Sequence, residues 1–195
     1  MSVIESQLAL QLPIASDRTL YLAKKVGDTR EFKSCMLDEN LKKDLYAFLL
    51  KIRHHAMYYQ ARQCFFNAQI TLAHAEKDKK FKGRFKYCEG LAVARIAFAV
   101  HHAWLLLDDQ YIVDLTWCLD ADARDEDLSD RIVGVIPKDW EYFGLTFDLD
   151  FLKKQLGKSK LGSISLLDDF QNGFPITSYY ESLVDENYIF SRKKK

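Results

Sequence analysis

Cys64, His102 and Asp114 are of the residue types that cysteine-based acyl chemistry uses. That chemistry needs a sulfur nucleophile, an imidazole beside it to move a proton, and a third group that orients the ring. A cysteine at a helix N-terminus is favoured as thiolate by the free backbone N–H groups and the helix dipole. Cys64 opens the apolar helical run C-F-F-N-A-Q-I-T-L-A and takes that position if a helix starts there. His102 lies in V-H-H-A-W-L-L-L, a run apolar at every position but its two histidines. Asp114 lies in Y-I-V-D-L-T-W. A polar group inside a strand covered on both faces needs a partner or a task. Taken singly, each has a plainer explanation: a small buried hydrophobe, a satisfied core histidine, a hairpin or loop cap. Taken together, their types and their places on predicted elements point to a triad.

The triad depends on strand register. Asp108-Asp109-Gln110 is the turn between two apolar runs, and a three-residue loop there pairs Leu107 with Tyr111. The same count sets Trp104 opposite Asp114 and His102 opposite Thr116. His102 and Asp114 then share a face, diagonally placed and within reach of each other. A two-residue loop would send them to opposite faces.

The elements that must hold these residues are readable from periodicity. Phe85–Trp117 is rich in β-branched and aromatic residues, with Gly90 its single internal breaker. It divides into strands at about Tyr87–Phe98, Val100–Leu107 and Tyr111–Thr116. Upstream, Asp38 is an N-cap for a helix from Glu39 to about Tyr58, with Leu41, Leu45, Phe48, Leu49 and Ile52 at helical spacing. A second helix runs from Cys64 to about Lys77. No Gly or Pro separates the two, so the choice is a break at Tyr59–Gln63 or one long helix through Cys64. Further on, Ile132–Ile136 and Trp140–Phe147 are strands, and Asp148–Leu156 is a short helix stopped by Gly157. Tyr21–Val26 is a strand or short helix. Residues 158–195 hold helices near Ser163–Phe170 and Ser178–Asp185 and a frayed basic end. Helices first and then a strand cluster predict an α+β fold, with N-terminal helices packed on an antiparallel sheet of about four to six strands. The chain reads as a single domain over 1–195: an N-terminal helical extension (1–60), a core of helix plus sheet (61–147), and C-terminal helices with a basic tail (148–195).

Composition narrows the classes. The chain has 195 residues, 48% of them hydrophobic, which is ample for one core. Lys+Arg equals Asp+Glu at 28 each, so net charge gives no global pull toward nucleic acid or membrane. No run approaches the roughly 18 apolar residues of a membrane span, and the first residues lack the pattern of a secretory signal. Cys35, Cys64, Cys88 and Cys118 show no C-x-x-C spacing and read as reduced thiols. The expected setting is the cytoplasm, including a host cytoplasm during phage infection.

The order C-F-F-N-A … Y-C-E-G … H-A-W … D-L-T-W … Y-F-G resembles a group of small phage and bacterial proteins in which a Cys before a helix precedes Y-x-E-G, H-A-W and D-x-T strands. More widely, it is similar to papain-like and transglutaminase-like cysteine enzymes. The resemblance covers roughly Gln63 to Gly144. It implies Cys64 as nucleophile, His102 as base and Asp114 as orienting group, with Gln60 or Gln63 as an oxyanion donor. Asn67, Glu89 and Trp104 are pocket candidates. The sequence departs from the pattern beside the nucleophile, where Gln63 and Phe65 stand in place of a small residue. The implied activity is acyl transfer on an amide, isopeptide or thioester of a protein or peptide, with no cofactor.

The rival class is a non-catalytic binding protein on the same fold. Lys77, Lys79, Lys80, Lys82, Arg84 and Lys86 interleave with Phe81 and Phe85, as a phosphate-tracking, base-stacking surface would. The zero net charge and the acidic stretch Asp120–Asp130 favour a solvated loop instead. A metal site is not expected: His54-His55 and His101-His102 are adjacent pairs, whose side chains point apart, and no i, i+4 His pair with Glu exists.

Overall fold

The computed structural model describes residues 30–55, 62–94, 100–119, 128–157 and 165. The elements expected within 1–29, and those within 158–195 apart from Ser165, lie outside the described residues.

After a two-residue strand β1 (Arg30–Glu31), helix α1 spans Glu39–His55. Asp38 caps it, its Oδ1 accepting from the Leu41 N–H at 2.9 Å. Leu45, Phe48, Leu49 and Ile52 are buried, forming the stripe that the periodicity predicts. That burial dominates: a cap contributes about 1 kcal/mol, whereas each buried Leu or Ile contributes about 1.5–3 kcal/mol. Helix α2 begins afresh at Cys64 and runs Cys64–Ala75. The break comes from backbone conformation. Arg62 has a left-handed φ of 65°, and Gln63 is non-helical at φ −116°, ψ 44°. A left-handed non-glycine residue cannot continue a right-handed helix.

Strands β2 (Phe85–Val93), β3 (Val100–Leu107), β4 (Tyr111–Cys118), β5 (Arg131–Val133) and β6 (Glu141–Phe147) complete a six-stranded sheet in the order β1-β6-β2-β3-β4-β5. Every described pairing is antiparallel. The β3–β4 hairpin has the expected register, with Leu107 opposite Tyr111. Asp108 and Asp109 both take positive φ, at 54° and 59°, as the favoured hairpin turns require. Aspartate tolerates this conformation better than most residues. Arg84 braces the turn, donating from Nε to Asp108 Oδ1 at 2.8 Å.

The sheet has a core on each face. On one face α1 and α2 pack Leu45, Leu49, Ala68 and Leu72 against Phe85, Tyr87, Leu105, Val113 and Leu145. On the other, Phe32, Cys88, Trp104, Leu106, Ile112, Ile132 and Tyr142 form a second cluster. Coverage on both sides explains why β3 is nearly continuous in apolar residues. Gly144 belongs to the second face because a Cβ there would lie 2.9 Å from the Trp104 ring and 2.5 Å from the Glu89 carbonyl.

The α+β class holds, but the helices do not all precede the sheet. Helix α3 (Leu149–Leu156) follows β6, with Asp148 as N-cap accepting from the Phe151 N–H at 2.7 Å. Its Leu152 docks on the core of the helix-covered face. β2 ends at Val93, short of the expected Phe98, and residues 95–99 lie outside the described residues. β4 continues to Cys118, beyond Thr116.

Candidate active site

Strand parity and one irregularity in β4 assemble the site. His102 shares a face with Trp104 and Leu106, opposite the helices. The β3–β4 ladder runs from Leu107↔Tyr111 to Leu105↔Val113 and goes no further, although both strands continue. Beyond Val113 the alternation of β4 breaks. The Asp114 Oδ1 accepts from the Thr116 N–H at 2.8 Å and the Trp117 N–H at 3.3 Å. Pairing with β5 shifts between Asp114 and Cys118. A bulge of this kind re-aims the side chains that follow it. Leu115 enters the helix-side core, and the next residue, Thr116, also reaches α2, accepting from Asn67 Nδ2 at 3.0 Å.

At this parted end of the ladder three side chains meet. His102 Nε2 lies 2.7 Å from Asp114 Oδ2. Cys64, the first residue of α2, is close enough to the same imidazole to help raise its pKa. His102 and Asp114 are both buried, at 2% and 0% exposure, and Cys64 at 8%. Burial is the largest single influence on His102 and would lower its pKa; the charge and hydrogen bond of Asp114, then those of Cys64, outweigh it and raise it to about 9. Burial is likewise the largest influence on Asp114 and opposes its charge. The imidazolium, the Thr116 N–H and the Tyr142 hydroxyl overcome it, so the carboxyl lies below its ordinary range. An anion held by backbone N–H groups and a facing cation is a fixed element, able to orient the ring and keep it charged.

Two aromatic residues finish the setting. Trp117 stacks on the His102 ring, 4.1 Å between centroids at 14°. Tyr142 donates its hydroxyl to Asp114 Oδ2 at 2.8 Å, and burial beside that carboxylate raises its own pKa well above the ordinary value. Tyr142 has no signature in the sequence, where it reads as one more apolar position of an alternating strand. Its shared parity with Gly144 is the only hint.

The remaining candidates divide. Gln63 stands at the N-cap position, exposed, with no side-chain bond to the helix N-terminus; Gln60 lies outside the described residues. Asn67 ties α2 to β4 through Thr116. Trp104 is 1% exposed and sits in the far-face core. Glu89 is fully buried on the helix-covered face. Its Oε2 accepts from the Tyr87 hydroxyl at 2.7 Å, and its Oε1 lies 2.8 Å from His101 Nε2 and accepts from Ser165 Oγ at 2.7 Å. Phe65, the bulky neighbour of Cys64, packs edge-on against His101 at 5.0 Å.

The base-stacking reading of Lys77–Lys86 does not fit the structure. Phe81 and Phe85 are 1% and 4% exposed, and both belong to the helix-side core. Lys80 pairs with Asp44, Arg84 with Asp108 and Lys86 with Asp109. Lys79 and Lys82 are exposed. Half of the segment's positive charge is thus matched by neighbours, and both of its aromatic rings are buried away from any base. Among the described residues no group of three or more His, Cys, Asp or Glu is arranged to hold a metal ion. No helix among them is long and apolar enough to cross a membrane.

Comparison of the chain with protein-family models, with curated proteins and with solved structures returned no match.

Proposed function

We propose that the protein is a cysteine-dependent acyl-transfer enzyme with a Cys64–His102–Asp114 triad, in the manner of papain-like and transglutaminase-like enzymes. The observation that carries this reading is the single buried imidazole that lies 2.7 Å from Asp114 and is also under the influence of the sulfur at the head of α2. In acylation the Cys64 sulfur attacks the carbonyl carbon of an amide, isopeptide or thioester. The carbon–sulfur bond forms, the bond to the leaving group breaks, and His102 delivers the proton that the leaving group takes up. Asp114 keeps the ring aligned and its cationic form stable while this occurs. The substrate class is a protein or peptide. All four cysteines are thiols rather than disulfides, which suits a reducing compartment, so the cytoplasm is the setting we assign.

Alkylation of the four cysteines tests the reading, because exposure and reactivity predict different orders. Cys35 and Cys118 are partly exposed, while Cys64 and Cys88 are buried. Iodoacetamide near neutral pH, read by peptide mass spectrometry, is expected to modify Cys64 first despite its burial. His102→Ala is expected to slow that reaction without unfolding the protein, and Asp114→Asn to slow it less. If the order follows exposure, with Cys35 and Cys118 ahead and Cys64 modified only in denaturant, Cys64 is a core residue and the enzyme reading fails.

A further inference from the structure

The proposed nucleophile and base are delivered from opposite sides of the sheet. Helix α2 packs on one face, and His102 belongs to the other. The apolar contacts that seat α2 are non-directional and do not by themselves fix where its first turn stands along β4. A hydrogen bond does, because it tolerates only a narrow range of distance and angle. Thr116 supplies such a bond from a place it shares with the carboxylate. Its hydroxyl accepts from Asn67 Nδ2 at 3.0 Å. Its N–H donates to Asp114 Oδ1 at 2.8 Å. Its carbonyl accepts from Arg131 Nη1 at 3.0 Å. Thr116, Asn67, Asp114 and Arg131 are all buried. The Asn67 N–H donates to the Gln63 carbonyl at 2.8 Å, which closes the turn that holds Cys64. In a regular strand Thr116 would follow the parity of Asp114 and face away from α2. The irregularity of β4 after Asp114 lets one residue address both faces.

Resting on the triad reading, we infer that Thr116 is the positioning residue of this site. Through Asn67 it holds the turn that carries Cys64, and through its own N–H it holds the carboxylate that orients His102. Nucleophile and base are thereby set against a single residue, which the buried guanidinium of Arg131 fixes from β5. Thr116 acts through Asn67 and Asp114 rather than on the substrate. Its two links are chemically separable. The side-chain hydroxyl carries the one to α2, and the backbone N–H carries the one to Asp114. A substitution of the side chain therefore cuts the first and leaves the second.

Iodoacetamide alkylation of the full chain, read by peptide mass spectrometry from about pH 5 to 9, tests this with Thr116→Val, which removes the hydroxyl, and Thr116→Ser, which keeps it. In Thr116→Val, Cys64 is expected to react roughly 3- to 10-fold more slowly near neutral pH, the equivalent of one internal hydrogen bond. Its rate should then climb with pH as an ordinary thiol's does, through about 8.5. Thr116→Ser is expected to keep the wild-type rate and profile. Asn67→Leu should match Thr116→Val, and the double variant should be no slower than either, since both remove the same bond. Cys88, fully buried in the far-face core, monitors the fold. A loosened structure speeds its alkylation, whereas lost positioning leaves it protected. An unchanged Cys64 rate in Thr116→Val and Asn67→Leu overturns the assignment of Thr116 and leaves the triad standing. So does slowing that adds in the double variant, that Thr116→Ser shares, or that comes with faster labelling of Cys88 in both single variants. If Cys64 of the wild type reacts no faster than Cys35 and Cys118, the triad fails and this inference with it.

Discussion

His101 and His102 are neighbours in sequence and opposites in structure. One faces the helices and the other faces away, because successive strand side chains alternate. Each has found a carboxylate by the same geometry. Glu89 of β2 stands opposite Ala103, two residues past His101. Continuing the β3–β4 register from Leu105↔Val113 sets Asp114 opposite Trp104, two residues past His102. The same diagonal step is thus made once to each neighbouring strand. The environments differ. His102 is sealed between Trp117, Tyr142 and the sheet, while His101 keeps an exposed edge. A His-His dipeptide on a strand is here two separate ion-pairing sites, and burial decides what each can do.

The largest expected effect falls on the sealed pair. Asp114→Ala leaves a buried imidazole without its counter-charge and two backbone N–H groups without their acceptor. Breaking a buried pair in this way costs about 3–5 kcal/mol. Glu89→Ala should cost less, because water can reach the His101 edge. Urea unfolding of the two variants checks the order. Equal losses would mean that the two faces are not distinguished by burial.

The same contrast should appear in the dependence of stability on pH. The folded value of His102 is raised, so its contribution is complete below the ordinary 6.5 and is lost as pH rises through about 9. The folded value of Asp114 is depressed, so its contribution is complete above the ordinary 3.8 and is lost as pH falls through the lower folded value. Both are whole between 3.8 and 6.5. Melting temperatures across that range and beyond should show wild type declining on the alkaline side. In Asp114→Asn that alkaline decline should flatten, since the main group holding the His102 charge is then lost. An unchanged alkaline slope would remove His102 as its source.

Tyr142→Phe probes the sealed side more gently. It deletes one hydrogen bond to a charged carboxylate and leaves the ring packing in place, so a loss of about 1.5–3 kcal/mol is expected by denaturant titration. A smaller loss would show that the two backbone N–H groups already suffice for Asp114.

The sequence carried part of this arrangement. Asp108-Asp109-Gln110 set a register that places His102 and Asp114 on one face, since loop length and strand parity are both countable. The start of α2 at Cys64 was one of two options, because the break rests on a left-handed Arg62, and arginine carries no signature of positive φ. Glu89 was legible as a polar residue in a buried strand, but its partner His101 was visible only as half of an unpromising metal pair. Phe81 and Phe85 misled: interleaved with lysines they resemble a stacking surface, yet turning the chain between α2 and β2 sends both rings into the core and the lysines out. Tyr142 was hidden because a tyrosine that packs and a tyrosine that donates a bond look alike until the order of strands across the sheet is known.

The smallest effects should come from the two bonds that tie α2 to either side. Asn67 reaches Thr116 on the His102 side at 3.0 Å, and Gln69 reaches Tyr87 on the His101 side at 3.2 Å. Replacing either by Leu is expected to cost about 0.5–1.5 kcal/mol, the usual net worth of one internal hydrogen bond. Stability alone would not tell them apart, but chemistry should. Asn67 lies one turn after Cys64, and its bond fixes the head of α2 against the bulged end of β4. Asn67→Leu should therefore slow alkylation of Cys64, which depends on alignment with His102. Gln69→Leu, whose bond lies on the Tyr87–Glu89–His101 side, should leave alkylation close to wild type. If both variants slow alkylation alike, the helix moves as one rigid body and the two sides of the site are not separately adjustable.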